Sequence, residues 1–564
     1  MEFLSWVESD QNRYLAIAQT ALFAFCGLIV AAAFLGKLNA RLSTPRGTLV
    51  YLSLVLLVFM AARWPTFFVV HPLNEDEAQM IAQAITVPHD PVPWVGFDGL
   101  TSGPLNTYAL DLPVLLGQGP SFMSTRILTV LVEFGALAAL YASAALCFGA
   151  GIARLAVVPP LVFWAVSVQD ELVHYSSELL SIALCATAVA LLCWAWRRSF
   201  PARILYAAGF VSGMVPFAKL QAVPLAASIA LVTVVAVLAA GTLDVRHKLL
   251  RLAALAGGAL TFPLLLLAIV AAGGGLRDFW LSYILSSLAY VVPNGQPLGF
   301  LTASPEFGPY FDWLFAVAIL GGLIVGLRFR SIDPGVRNAY LAAVVILAGA
   351  IAAVYSPRRG SLHYLQYGVV PIAAAAAAGL AAIAWYAARE PSAAWRRGAL
   401  AAAFVAVCLT VQNAVLRPHY NWIGADFYAY RQGGPPDPLA AAIERHLQPG
   451  ERLAIWGWVP EYWIYSSTLL GTRDAVSVNQ YTPYFNPYRD YYRARYVADF
   501  ERIRPQGFLE AGAESWDWGG GFQDAYTSFP ELAAIVNRDY VLAASWKRFK
   551  FFMRRDLVLR KRGA

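Results

Sequence analysis

Long apolar runs separated by short polar segments cover most of this chain. Runs of roughly 17–25 residues have the length that an α-helix needs to cross a bilayer. The pattern therefore predicts a polytopic α-helical membrane protein with about twelve spans. Their approximate positions are Tyr14–Gly36, Thr48–Val70, 122–148, 154–168, 179–196, 203–218, 221–240, 250–272, 312–327, 338–355, 364–388 and 398–416.

After Leu416 the pattern changes, and no further run is long enough to span a membrane. Segment 417–564 is rich in Tyr, Arg, Asp, Pro and Trp, which is typical of a small folded domain outside the bilayer. We therefore divide the chain into a transmembrane module, 1–416, and a C-terminal α/β domain, 417–564. Within this domain the pattern predicts helices near 438–447 and 530–537 and strands at Arg452–Trp458, Ala475–Val478 and Val541–Ala543.

Two loops between the predicted spans are long, at about 71–121 and 273–312. The first begins with a segment, Glu75–Thr86, in which small and aliphatic side chains recur at helical spacing. Three prolines follow this segment and end it. We therefore expect an amphipathic helix at the start of the first long loop.

The composition agrees with a membrane protein, and the positions of its Lys and Arg residues indicate its orientation. Hydrophobic residues make up 59% of the chain and charged residues 14%, whereas a soluble domain carries ~25% charged residues. Most Lys and Arg residues lie in alternating loops, which the positive-inside rule places in the cytoplasm. The net charge of +7 therefore indicates membrane topology and not a nucleic-acid partner. Both long loops and the C-terminal domain then lie on the outer side of the membrane.

Acidic and basic side chains gather in the loops of that outer side. Asp76 and Glu77 follow the second span, and Asp170 and Glu171 follow a later one. Such carboxylates can act as a general base or can bind a divalent cation such as Mg²⁺, Mn²⁺ or Ca²⁺. A structural alternative exists, because acids in a first helical turn after a cap such as Asn74 oppose the helix dipole.

Basic side chains of the same side are candidates for binding an anion. These are Lys219, Arg358 and Arg359, which follow later spans. Their structural alternatives are snorkelling for Lys219 and interfacial anchoring for the two arginines. The five cysteines show no metal-ligand spacing and all fall in apolar runs, so neither disulfides nor a cysteine metal site are indicated.

The order of these elements resembles the GT-C superfamily of membrane glycosyltransferases. The elements are Asp76-Glu77 after an early span, Ser102-Gly103-Pro104-Leu105, the pair Asp170-Glu171, Lys219-Leu220-Gln221, and Arg359 with His363-Tyr364. The chain is most similar to bacterial relatives of protein O-mannosyltransferases and of the aminoarabinose transferase that acts on lipid A. The resemblance covers roughly residues 48–416. One departure is that the acidic loop follows the second apolar run, which adds one span ahead of the family arrangement.

The resemblance implies the fold, the activity and the roles of single residues. It implies transfer of a sugar from a polyprenyl-phosphate donor to an envelope glycan, lipid or protein on the periplasmic side of a bacterial cytoplasmic membrane, with membrane lipids as further partners. Asp76 is then the general base, supported by Glu77, and Asp170 and Glu171 orient the acceptor or a cation. Residues at the donor phosphate are Lys219, Arg358, Arg359, His363 and Tyr364. Further residues of the cleft are His174, Tyr175, Glu178 and Gln221.

The residues leave two other classes of function open. A flippase or transporter of lipid-linked glycans would place charged side chains within its spans, and Glu133 is the main residue of that kind. A ligase or polymerase of surface polysaccharide would share the long outer loops and the aromatic content. Because most ionisable residues lie near one surface, the sequence favours the glycosyltransferase.

Overall fold

A computed structural model describes residues 11–34, 36–167, 169–291, 307–389, 438–481, 487–511 and 525–558. The span predicted at 398–416 lies outside these residues. The chain divides into two units. The helical unit consists of Met1–Phe67, Ile127–Leu264 and Val292–Ala425, and the loop unit consists of Phe68–Arg126, Leu265–Val291 and Asp426–Ala564.

Most helices of the helical unit are long and apolar. Among the described residues, eight helices of the chain are long and apolar enough to cross a membrane, and three shorter apolar helices accompany them. The predicted spans up to 364–388 all coincide with helices, which confirms a multi-pass membrane protein. The helices are Gln11–Phe34, Gly36–Leu42, Pro45–Arg63, Trp64–Phe68, Phe122–Phe148, Ala150–Val166, Asp170–Val173, Ser177–Arg197, Ala202–Ala218, Leu220–Ala222, Val223–Ala239, Val245–Ala272, Gly308–Leu327, Pro334–Tyr355, Leu362–Leu365 and Gln366–Ala387.

Two of these helices, Ala202–Ala218 and Val245–Ala272, pack with their backbones in contact. A Cβ atom added at Gly209 would lie 2.0 Å from the carbonyl oxygen of Leu255, and one added at Gly258 would lie 2.0 Å from that of Tyr206. Small residues allow this close approach, which is a common way to join helices in a bilayer. The two helices therefore form a pair that tolerates no side chain at these glycines.

The loop unit contains shorter helices and one sheet. The helix predicted at Glu75–Thr86 is present with those bounds. The helices described in this unit are Glu75–Thr86, Pro104–Asp111, Leu112–Leu116, Leu276–Asp278, Phe279–Leu285, Ser286–Ala289, Pro438–His446, Glu461–Tyr465, Val478–Tyr481, Arg489–Ile503, Tyr526–Ser528 and Pro530–Asp539.

The sheet has five strands, in the order β2-β1-β3-β5-β4. They are β1 (Arg452–Trp456), β2 (Leu469–Leu470), β3 (Gly507–Glu510), β4 (Tyr540–Trp546) and β5 (Phe549–Arg554). Strand β1 pairs in parallel with β2 and β3, whereas β5 pairs antiparallel with β3 and β4. The C-terminal segment therefore has the α/β character that the sequence predicts.

The strand predicted at Ala475–Val478 is wrong. These residues lie outside the sheet and lead into helix Val478–Tyr481. The hydroxyl of Ser477 accepts a hydrogen bond of 2.6 Å from the backbone N–H of Gly457, and the Ser477 N–H donates to the Gly457 carbonyl. These contacts hold the segment against the loop after β1, so its backbone cannot join a strand ladder.

The helix at the start of the first long loop packs on the core of this sheet. Ala82 and Val87 belong to the same buried cluster as Leu453 and Ile455 of β1. The backbone N–H of Leu470 donates a 3.1 Å hydrogen bond to the hydroxyl of Thr86. The C-terminal strands thus fix the helix that carries Asp76 and Glu77.

Candidate active site

Asp76 lies in the first turn of helix Glu75–Thr86. The side-chain oxygen of Asn74 caps this helix by accepting a 2.9 Å hydrogen bond from the backbone N–H of Asp76. The Asp76 side chain is half-buried. Within the described part of the loop unit, its carboxylate has no hydrogen-bond or ion-pair partner. The cap holds the backbone of Asp76, so the carboxylate is positioned but chemically available.

Glu77, the next residue, is fully buried and paired. Its carboxylate accepts hydrogen bonds of 3.2 and 2.9 Å from Nε and Nη2 of Arg126, which is also buried. The same guanidinium donates to the backbone carbonyls of Val69 and His71. Arg126 thus fixes both the entry of the acidic loop and the first helical turn. Glu77 positions Asp76 and has no free carboxylate oxygen for substrate.

The Ser102-Gly103-Pro104-Leu105 element begins a second helix beside the first one. Gly103 precedes helix Pro104–Asp111, and Pro104 takes its first position, where no backbone N–H is needed. Buried Thr107 of this helix donates a 3.0 Å hydrogen bond to Gln83 of helix Glu75–Thr86. This polar contact fixes the two helices to one another inside the loop unit.

In the helical unit, Glu171 pairs with His363. Nδ1 of His363 donates a 2.7 Å hydrogen bond to Oε2 of Glu171, and the His363 backbone N–H donates to the same oxygen at 3.3 Å. Burial alone would raise the pKa of Glu171, but these hydrogen bonds and the charges of His363 and His174 lower it to about 2. The pair therefore carries a stable carboxylate.

A second pair, Lys219 with Glu178, is buried in the same unit. Nζ of Lys219 lies 3.1 Å from Oε1 of Glu178 and donates a 2.6 Å hydrogen bond to the hydroxyl of Ser177. The charge of His363 acts on both Glu171 and Glu178, so the two pairs are electrostatic neighbours. Lys219 does not snorkel, because its ammonium group lies inside the protein with a carboxylate partner.

The other predicted residues of this unit differ in exposure. Asp170 and Arg358 are exposed, and Arg359 is half-buried. Buried His174 donates a 2.8 Å hydrogen bond from Nδ1 to the carbonyl of Asp170, and Gln221 donates one of 3.0 Å to the carbonyl of Ala353. Both therefore hold backbone in place. Two buried aromatic side chains complete the set, Tyr175 and Tyr364.

Comparison with known proteins finds similar chains among solved structures. No family model matches the sequence, and no curated protein matches it. Among solved structures, ArnT from Cupriavidus metallidurans bound to undecaprenyl phosphate is similar, with a TM-score of 0.56 and 13% identity over 90% of this chain and 98% of that chain. ArnT is an aminoarabinose lipid A transferase with the GT-C fold. The chain has the GT-C fold.

Further solved structures also match. ArnT in the apo state has a TM-score of 0.53 at 13% identity and covers 90% of this chain and 98% of that chain. The oligosaccharyltransferase of Archaeoglobus fulgidus in complex with Zn and sulfate has a TM-score of 0.42 at 14% identity, over 81% of this chain and 67% of that chain. The two ArnT structures confirm the predicted fold class over most of the chain.

Two residues that the sequence analysis did not single out fix elements of the candidate site. Arg126 holds Glu77, and buried Gln366 contacts the hydroxyl of Ser176 at 3.4 Å. An Arg at the start of a span, shortly after a loop with several prolines, was a usable signal. Gln366 lies at a helix start, where polar side chains are common and therefore uninformative.

Among the described residues, no group of three or more His, Cys, Asp or Glu side chains is placed to hold a metal ion. Of the candidate ligands in the helical unit, Glu171 accepts a hydrogen bond from His363. A bound divalent cation stays a prediction.

Proposed function

We propose that this protein is an inverting glycosyltransferase. It takes a sugar from a polyprenyl-phosphate donor and transfers it to a lipid, glycan or protein acceptor at the outer face of a bacterial cytoplasmic membrane. The observation that carries the proposal is the GT-C fold shared with an ArnT structure that binds undecaprenyl phosphate, over 90% of this chain. The half-buried Asp76 carboxylate in the first long loop supports it.

Asp76 acts as the general base of this reaction. Its carboxylate removes a proton from the acceptor hydroxyl or amine, and the freed lone pair forms a bond to the anomeric carbon of the sugar. The bond from that carbon to the phosphate oxygen breaks, and the electron pair leaves with the polyprenyl phosphate. A single displacement inverts the anomeric configuration. The reaction therefore needs one carboxylate as the base and no second carboxylate as a nucleophile.

The leaving group needs positive charge and not an acid, because a lipid phosphate is already a stable anion. Charge-assisted hydrogen bonds from fixed cations stabilise such a group most strongly in the transition state. We assign this role to Arg358 and Arg359, with His363 and Lys219 as further cations. Lys219 and His363 each also have a carboxylate partner, Glu178 and Glu171.

The test is transfer of radiolabelled sugar from polyprenyl-phosphate donors by the purified full-length protein. Asp76→Asn keeps the size of the side chain and removes the base. We expect a loss of about 100-fold or more in the rate of transfer, with donor binding unchanged. The matched control is Glu75→Gln, which removes a carboxylate from the same helical turn and should retain the wild-type rate.

Three other outcomes would change the assignment. Full activity of Asp76→Asn would move the base to another carboxylate such as Asp170. Equal losses in Asp76→Asn and Glu75→Gln would mean that the charge stabilises the helix and does no chemistry. No transfer from any donor, with donor lipid still crossing proteoliposome membranes, would identify a flippase.

A further inference from the structure

A large cavity lies between helices of the helical unit. Its volume is about 700 Å³, which falls in the range of pockets that bind small molecules. Five helices form its walls, and every residue that lines it belongs to the helical unit. These helices are Phe122–Phe148, Ser177–Arg197, Val223–Ala239, Pro334–Tyr355 and Gln366–Ala387.

The cavity extends along much of these helices and ends at the loops opposite to the candidate site. In helix Ser177–Arg197 the lining begins at Ile182, one turn after Glu178, and reaches Cys193 and Trp196 near the helix end. In helix Pro334–Tyr355 the lining residues run from Asn338 to Ile346, in the first half of the helix. One end of the cavity therefore lies near the arginine-rich loops, on the side that the positive-inside rule places in the cytoplasm.

The lining of the cavity is apolar along its length and polar at one end. Aliphatic side chains such as Ile182, Leu225 and Ile229 form the walls. The polar side chains Thr242 and Asn338 lie at the loop end. This distribution fits a molecule with a long hydrocarbon chain and a polar head.

The cavity opens towards the outside of the helical unit. Leu231 and Val235 line it but are 56% and 55% exposed, and Leu341 on the neighbouring helix is 44% exposed. In a bilayer these side chains face lipid and not water. An apolar cavity that opens into lipid is filled from the membrane, because no aqueous solute meets its entrance.

Positive charge at the loop end indicates the head group. Arg337 adjoins the cavity residue Asn338, and its Nε donates a 3.2 Å hydrogen bond to the Asn338 side-chain oxygen. The guanidinium also lies 4.9 Å from the ring of Phe329, which holds it in place. A guanidinium fixed beside an amide at the level of a lipid head group suits a phosphate.

We propose that this cavity binds one acyl chain of a glycerophospholipid from the leaflet on the arginine-rich side, with its phosphate at Asn338 and Arg337. The proposal does not depend on the glycosyltransferase assignment. The polyprenyl carrier is the other long-chain lipid to consider. Its phosphate belongs with the cations at the opposite end, Arg358 and Arg359, so we assign the cavity to a different lipid.

The test is photocrosslinking of the full-length protein in nanodiscs that contain phosphatidylglycerol with a diazirine at the end of one acyl chain. Mass spectrometry locates the labelled peptides. We expect labelling concentrated on cavity residues and reduced about tenfold or more by Ala186→Trp, which fills the cavity. The matched control is Ala183→Trp, on the same helix but outside the cavity lining, which should leave the labelling unchanged.

A second variant, a competition experiment and two further lipid probes distinguish the remaining outcomes. If Ala186→Trp does not fold, Ala374→Trp fills the cavity from another helix. Competition by unlabelled phosphatidylglycerol should likewise reduce the labelling of cavity residues. Labelling spread evenly over the lipid-facing helices, insensitive to these changes, would overturn the proposal. Preferential labelling by a diazirine polyprenyl phosphate would assign the cavity to the carrier tail. Equal labelling by a diacylglycerol probe would refute the role of the phosphate.

Discussion

Two groups of buried charges, one in each unit of this protein, are held in different ways. In the helical unit, Lys219 and His363 each face one carboxylate, Glu178 and Glu171. In the loop unit the buried cations of the network around the sheet are arginines with several acceptors each. A guanidinium has five donors in a fixed planar arrangement and can bind several acceptors at once, whereas an ammonium is a compact point charge.

Arg495 and Arg473 show the second arrangement. Arg495 lies between Asp98 and Asp474, donating a 2.7 Å hydrogen bond to Asp98 and a second bond to Asp474. Arg473 contacts Asp278 at 2.8 Å and Asp499 at 2.7 Å. These contacts join the first long loop, segment 265–291 and the C-terminal segment within the loop unit. The comparison teaches that the arginines of this network join three separate segments of the chain, whereas the Lys219 and His363 pairs each join one cation to one carboxylate.

The largest effect is expected for Arg495→Met. This change leaves two carboxylates buried without their cation, since Asp98 and Asp474 are 0% exposed. Breaking a buried pair in this way costs about 3–5 kcal/mol of the free energy of unfolding. Thermal unfolding of the purified protein measures the loss, and Arg495→Lys should recover only part of it because one ammonium cannot replace the guanidinium fork. A variant as stable as the wild type would show that the network is dispensable.

An intermediate effect is expected for Lys219→Met. The change leaves the buried Glu178 carboxylate unpaired and should cost about 1.5–3 kcal/mol. The double variant Lys219→Met/Glu178→Leu removes both charges and should unfold within about 1 kcal/mol of the wild type. If Lys219 also contacts the donor phosphate, the double variant stays inactive in the transfer assay although it is stable. Recovery of both stability and transfer would reduce Lys219 to a structural residue.

The smallest effect concerns Glu171 and depends on pH. The pKa of this carboxyl is lowered from 4.5 to about 2, so the folded protein favours the ionised form. Its stabilising contribution is therefore fully present above pH 4.5 and is lost as the pH falls towards 2. We expect the difference in melting temperature between wild type and Glu171→Gln to shrink below pH 4.5. A difference that stays constant down to pH 3 would contradict the pairing with His363.

The sequence predicted the helices well, because long apolar runs and amphipathic spacing are local signals. The spans up to 364–388 and the helix Glu75–Thr86 are present in the structure. Strands β2 and β3 were missed because they have two and four residues, too few for an alternating pattern to stand out. Strand β5, with Lys550 between two phenylalanines, carried such a pattern and could have been found.

The site could be predicted only in part, for a similar reason. Residue types at span ends identified Asp76, Glu171 and Lys219 as candidates, but their partners are distant in the sequence. His363 lies 192 residues from Glu171, and Arg495 lies 397 residues from Asp98. No local pattern gives such pairings. The family resemblance supplied the roles, and the structure separates a positioning carboxylate, Glu77, from an available one, Asp76.

The glycine contact between helices Ala202–Ala218 and Val245–Ala272 has a consequence for how the protein is made. This helix pair is complete once the ribosome has passed Ala272, when His363 has not yet been synthesised. Because helix Val223–Ala239 lies between the two in the chain, the pair forms when three successive helices have been inserted, and it can then serve as a template for the helices that follow. The pairing of Glu171 with His363 then comes late in assembly, so membrane insertion of the early helices does not depend on it.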